Sequence, residues 1–132
     1  MKMPGSWCRP LTGAAAAPGA NVTPAEQVRD ELHAVAIAPA MWAVVRSSPT
    51  GAEKMASGGP VTIAEMASDI GRLLGKGDRV RLGALKYPDG EPMQILADAT
   101  RLRDDIGWPP AFDLSRGPAD TIEWWRGRAA RD

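Results

Sequence analysis

The run from Val61 to Gly75 constrains the architecture of this chain most, because it spells out a whole helix with both ends marked. Thr62 and Glu65 have capping-box spacing, in which the threonine hydroxyl accepts from a first-turn N–H and the carboxylate reaches back to the cap. Ile63, Met66, Ala67, Ile70, Leu73 and Leu74 then recur at helical intervals and form one apolar face. Gly75 supplies the stop. Such a helix has one face to bury, and 132 residues suffice for one domain with a core, though not comfortably for two.

The flanking segments are shorter and more broken. Val80 to Leu85 and Pro92 to Ala97 have the length and composition of short strands, with the turn sequence Tyr87-Pro88-Asp89-Gly90 between them. Asp98 can cap a short helix through Ile106, ended by Gly107. Asp113 can cap a last helix with Ile122 and Trp125 on one side. Pro118 would cost ~3 kcal/mol inside that helix, and less if the helix starts nearer Pro118 itself. Ala40 to Arg46 reads as a helix with Pro39 near its start or at a kink. Thr23-Pro24-Ala25-Glu26 has the form of another helix start, followed by Val28, Leu32, Val35 and Ala36 at helical spacing, and local rules predict a helix over 24–37. Residues 1–22, rich in Ala, Gly and Pro, read as a flexible lead-in, with residues 23–132 as the folded lobe.

Composition narrows the function classes. Sixteen basic residues against sixteen acidic ones argue against a dedicated nucleic-acid binder. No apolar run reaches the roughly 20 residues a membrane helix needs. The opening segment is broken by Pro4, Pro10 and Gly13, unlike an export signal. With Cys8 alone there is no internal disulfide, and a reducing, cytoplasmic setting is expected. No cluster has metal-ligand spacing. Asp104 and Asp105 are adjacent on a predicted helix, so their side chains diverge and read as a solvated face. His33, the one histidine, reads as structural. No nucleophile elbow, phosphate loop or dinucleotide fingerprint is present. Five tryptophans in a chain with one Phe and one Tyr are expected to form the core rather than a stacking platform.

Three stretches carry a resemblance: GPVTIAEMASDIGRLLG, VRLGALKYPDGEPMQILADATRL and DIGWPPAFDLSRGPADTIEWWR. Their order and spacing resemble the C-terminal, substrate-binding region of the NAD-dependent nucleotide-sugar epimerases and dehydratases, the extended short-chain dehydrogenase/reductases. The match covers about residues 27–126, roughly three-quarters of the chain. It implies an α+β fold, a mixed lobe of helices with a few short strands. It also implies a strand at Gln27-Val28-Arg29-Asp30, where local rules predict helix, so the two readings conflict there.

In that family a Rossmann domain binds NAD and uses a Tyr-x-x-x-Lys pair, while the small lobe holds the nucleotide diphosphate and gives sugar specificity. The resemblance implies a phosphate-binding role for Arg29, whose planar fork suits that task. The plainer reading is a surface salt bridge with Asp30 or Glu26. Glu91 matches the acidic residue that meets the nucleotide ribose. Pro88 stands where the family has a second arginine. Glu31, the Ala34 to Ala38 segment, Pro49, Lys54 and Pro118 also depart from the pattern. The only tyrosine is Tyr87, with Glu91 four residues on, so the catalytic pair is missing and no cofactor is expected in this chain. The sequence therefore reads as a truncated or degenerate substrate-binding lobe, inactive alone. The alternative is a non-catalytic module that binds a nucleotide diphosphate sugar, or a protein-interaction module. Partners implied are such a sugar and a Rossmann-bearing chain or a second copy, with neither nucleic acid nor membrane.

Overall fold

The computed structural model describes residues 19–109 and 115–130. Most of the 1–22 lead-in, with Cys8, and the Asp113 cap lie outside the described residues. In chain order come β1 (Ala20–Asn21), β2 (Val28–Asp30), α1 (Ala34–Arg46), β3 (Pro60–Thr62), α2 (Ile63–Leu73), a 3-10 turn (Gly77–Arg79), β4 (Val80–Arg81), β5 (Gln94–Ile95), α3 (Thr100–Asp104) and α4 (Arg116–Ala129). The fold is the α+β lobe expected, mainly helical with very short strands.

β2 is the middle of a three-stranded sheet, antiparallel to β3 and parallel to β5. β1 and β4 form a separate parallel pair in the register Ala20 to Val80. The two strands read on either side of the Tyr87–Gly90 turn are therefore not a hairpin, and each shrinks to two residues.

The helix predicted over 24–37 does not form, and the strand reading holds at Val28–Asp30. Ala25 sits at φ 60°, a left-handed conformation that a helix cannot include. Its carbonyl accepts from Ala64 at 2.8 Å and the Gln27 carbonyl accepts from Ile63 at 3.0 Å. The first turn of α2 thus takes the acceptors that a local helix would have used. α1 instead starts at Ala34, with His33 as its cap. Pro39 lies inside α1 and faces solvent. In α4 Pro118 is the third residue, in the first turn, where a missing N–H is tolerated.

The core joins α1 to α3. Ala36 and Ala40 pack with Leu102 and Trp108, bordered by Leu32, Ala43, Val44 and Ile106. α2 lies against β3, β4 and α4. Gly71 is required where α2 crosses β4, since a Cβ there would come within 2.9 Å of a Val80 methyl and 3.2 Å of the Gly77 backbone.

The capping box of α2 is present in full, with Glu65 N–H donating to the Thr62 hydroxyl and Thr62 N–H to the Glu65 carboxylate. Thr62→Ala should destabilise the protein by about 1 kcal/mol, as read by urea denaturation at neutral pH. The Thr62 N–H, and secondly its hydroxyl, hold the Glu65 carboxyl below its usual value of 4.5. A lowered carboxyl adds stability above its unfolded pKa and loses it as pH falls through the folded one. The gap between wild type and Thr62→Ala should therefore narrow, without closing, as pH drops below 4.5.

Candidate functional site

The two site residues marked by the sequence, Arg29 and Glu91, are 62 positions apart and meet in the structure. β2 presents Arg29, flanked in register by Val61 of β3 and Ile95 of β5. Glu91 ends a turn closed by its own N–H donating to the Pro88 carbonyl at 3.2 Å. Gly90, at φ 75°, supplies the left-handed position that such a turn needs. The segment around this turn is stitched to the β2 strand at two further points. Glu26 N–H donates to the Tyr87 hydroxyl at 2.9 Å, and Val28 N–H to the Met93 carbonyl at 2.8 Å.

The Arg29 guanidinium reaches into this junction. Its Nη2 donates to Glu91 Oε1 at 2.9 Å and to the Pro92 carbonyl at 2.8 Å, and its Nη1 donates to the Val28 carbonyl at 2.9 Å. The two side chains are 17% and 26% exposed, so this is a half-sheltered pair rather than a solvated one. Neither partner weighed in the plain salt-bridge reading is used. Asp30 instead accepts from Ser57 N–H, Ser57 hydroxyl and Gly58 N–H at 2.7, 2.6 and 2.9 Å, fixing the loop that leads to β3. Glu26 makes its contact through its backbone.

Sequence reasoning missed Gln27. It is buried, and its Nε2 donates to the same Glu91 oxygen at 3.4 Å. Its Oε1 has no hydrogen-bond partner among the described residues. The only signal was its place at the head of the Gln-Val-Arg-Asp stretch, since a glutamine reads as surface by type alone.

His33, read as structural, stands between two helices. It caps α1, its Nδ1 accepting from Val35 N–H at 3.4 Å, and its Nε2 lies 3.4 Å from Asp120 of α4. Asp104 and Asp105 face solvent beside Arg103 and Arg101. The tryptophans correct the expectation of a tryptophan core. Trp108 alone of the described ones is buried, whereas Trp42 and Trp124 are 60% and 51% exposed. Arg46 lies 5.7 Å from the Trp42 ring centroid and Arg128 lies 5.4 Å from that of Trp124.

Among the described residues no group of His, Cys, Asp and Glu could hold a metal ion, and no helix is long and apolar enough to cross a membrane. The strand-to-helix joints of the described residues also lack the glycine pattern of a dinucleotide fingerprint. β2 joins α1 through Glu31-Leu32-His33 and β3 runs straight into α2, so neither joint has the spaced glycines that let backbone approach a pyrophosphate.

The sequence and the fold, rather than this site, are what known proteins share. The chain is 32% identical over 94 residues to the GDP-L-fucose synthase of Escherichia coli K12, taking in 71% of this chain and 28% of that relative. The UDP-N-acetylglucosamine 4-epimerase of Methanobrevibacter ruminantium, solved with UDP-N-acetylmuramic acid, superposes with a TM-score of 0.69 at 27% identity, over 79% of this chain and 33% of that one. These likenesses support the NAD-dependent epimerase/dehydratase family. The UDP-glucose 4-epimerase of Thermotoga maritima, solved with UDP-glucose, shares the fold at a TM-score of 0.74 and 17% identity, over 84% of this chain and 36% of that one. The chain thus spans about a third of the length of these relatives. No family model matches the sequence.

Removing the guanidinium would strand the Glu91 carboxylate beside buried Gln27. Arg29→Ala should cost about 1–3 kcal/mol in urea denaturation, in line with the loss of charge-assisted hydrogen bonds. It should also speed hydrogen exchange at the Glu91 amide.

Proposed function

We propose that this chain is the substrate-binding part of a nucleotide-sugar epimerase or dehydratase, corresponding to the C-terminal lobe of the family. In this reading it is a truncated or degenerate form that binds a nucleotide diphosphate sugar through Arg29 and Glu91 and carries out no oxidoreduction alone. The supporting observation is the meeting of these two residues across the β2–β5 junction, since they match the family positions for diphosphate and ribose. The chain has neither the Tyr-x-x-x-Lys pair nor the NAD fingerprint, so any chemistry would come from a Rossmann-bearing partner, in the cytoplasm.

A specific observation favours such a partner. α1 is inside out: its alanines Ala36 and Ala40 face the core, while Val35, Met41, Trp42 and Val45 are 59%, 53%, 60% and 74% exposed. A helix that shows its large apolar residues to water is short of a covering surface. The rest of a family fold is the covering surface this reading assigns, and a second copy of the chain is the alternative.

Calorimetric titration of the full chain with UDP-glucose should show binding that Arg29→Ala weakens at least about tenfold, as for loss of a bidentate charged contact. NADH formation by the purified chain with any nucleotide sugar would overturn the claim of inactivity. Reading the DNA upstream of Met1 for a Gly-x-x-Gly-x-x-Gly and a later Tyr-x-x-x-Lys tests the truncation.

A further inference from the structure

We propose that Glu91 is a built-in competitor for Arg29, an internal anion that a nucleoside diphosphate must displace before Arg29 can grip phosphate as a fork. This rests on the substrate-binding reading above and adds a control step to it.

The argument is one of donor geometry. A guanidinium has five N–H groups and two edges that can hold an anion bidentately, one formed by Nε and Nη2 and the other by Nη1 and Nη2. Both edges need a hydrogen of Nη2. In this structure both Nη2 hydrogens are committed, one to Glu91 Oε1 and one to the Pro92 carbonyl. Nη1 also donates once, to the Val28 carbonyl. The donors left over, on Nε and Nη1, lie on opposite sides of the plane's axis and make no fork. As it stands, Arg29 is a latch that holds the turn against β2.

Only one of the three acceptors can leave cheaply. The Val28 and Pro92 carbonyls belong to the backbone of β2 and of the stretch entering β5. Glu91 is a side chain, 26% exposed, on a turn closed by one backbone hydrogen bond. Rotating its carboxylate away returns an Nη2 hydrogen and reopens one edge. The closed arrangement is also not fully satisfied, because Gln27 Oε1 is buried without a partner while its amide nitrogen follows Glu91. A displaced carboxylate needs new donors, and a ribose diol offers two adjacent ones. The chemistry that can make the exchange is therefore a diphosphate carrying a vicinal diol, a nucleoside diphosphate.

Glu91→Asp is the decisive variant. It keeps the charge, so bulk electrostatics hardly change, but withdraws the carboxylate by one methylene from Arg29. Affinities of the full chain for pyrophosphate and for UDP would be measured by calorimetry for wild type, Glu91→Asp, Glu91→Gln and Arg29→Ala, with melting temperatures confirming that each is folded. If the closed pair holds nine-tenths of the population, freeing Arg29 raises pyrophosphate affinity about tenfold. Glu91→Asp and Glu91→Gln should both show this gain. The gain should be smaller for UDP, which loses the exchange with the diol. Wild-type affinity in Glu91→Asp, with binding abolished by Arg29→Ala, would overturn the competitor role and leave the site standing. A gain in Glu91→Gln but not in Glu91→Asp would reduce the effect to charge and overturn it too. Absence of binding in every protein would overturn both the competitor and the site.

Discussion

Backbone pairing at Val28–Asp30 is the constraint on which the rest of the structure depends. Three residues hold a strand on each side, and both neighbours come from far along the chain, β3 some thirty residues later and β5 more than sixty. Closing such loops is entropically costly, and a handful of ladder bonds worth about 1 kcal/mol each does not offset it alone. The chain adds side-chain anchors at each closure. Asp30 fastens Ser57 and Gly58 before β3 begins, and Arg29 fastens the turn before β5. The two polar residues of β2 thus divide the work, one per neighbour. That is why Arg29 is engaged within the fold itself.

The hydrophobic side of the fold is thin by comparison. Among the described residues Leu102 is the one large side chain that is essentially fully buried, and much of the remaining core is alanine. Alanine lets α1 approach α3 closely but contributes little apolar area per residue. The large apolar residues that would normally supply that area stand on the outer side of α1 and along β5. Stability in such a molecule is easily shifted by whatever covers those residues, since anything that binds the folded state alone stabilises it by mass action.

What could be read from the sequence divides by physical range. α2 was legible because its cap, its face and its stop are all local, and the Pro88–Glu91 turn because Gly90 marks it. The failed helix over 24–37 has good local signals. It loses because the Ala25 and Gln27 carbonyls are claimed by Ala64 and Ile63, a tertiary event that no window of residues reveals. Two-residue pairings such as β1 with β4 are below the reach of any periodicity. The tryptophans misled because residue type predicts burial only where a fold has enough covering surface, which α1 does not. Resemblance singled out Arg29 and Glu91 as candidates, while their contact with one another was not legible, because it depends on how far the turn folds back over β2.

The sheltered pair and the exposed apolar surface meet at β5. Ile95 is the register partner of Arg29 and is 54% exposed, with Met93 and Leu96 beside it at 43% each. A surface laid over these residues would take water away from the Arg29 junction as well. Electrostatic attraction strengthens as the local dielectric falls, both for the Arg29–Glu91 pair and for a phosphate that replaces it. A doubly charged diphosphate gains more from that change than a singly charged carboxylate at the same distance. In the proposed reading, covering β5 therefore shifts the contest for Arg29 toward the ligand, so that partner and substrate reinforce one another through a single guanidinium.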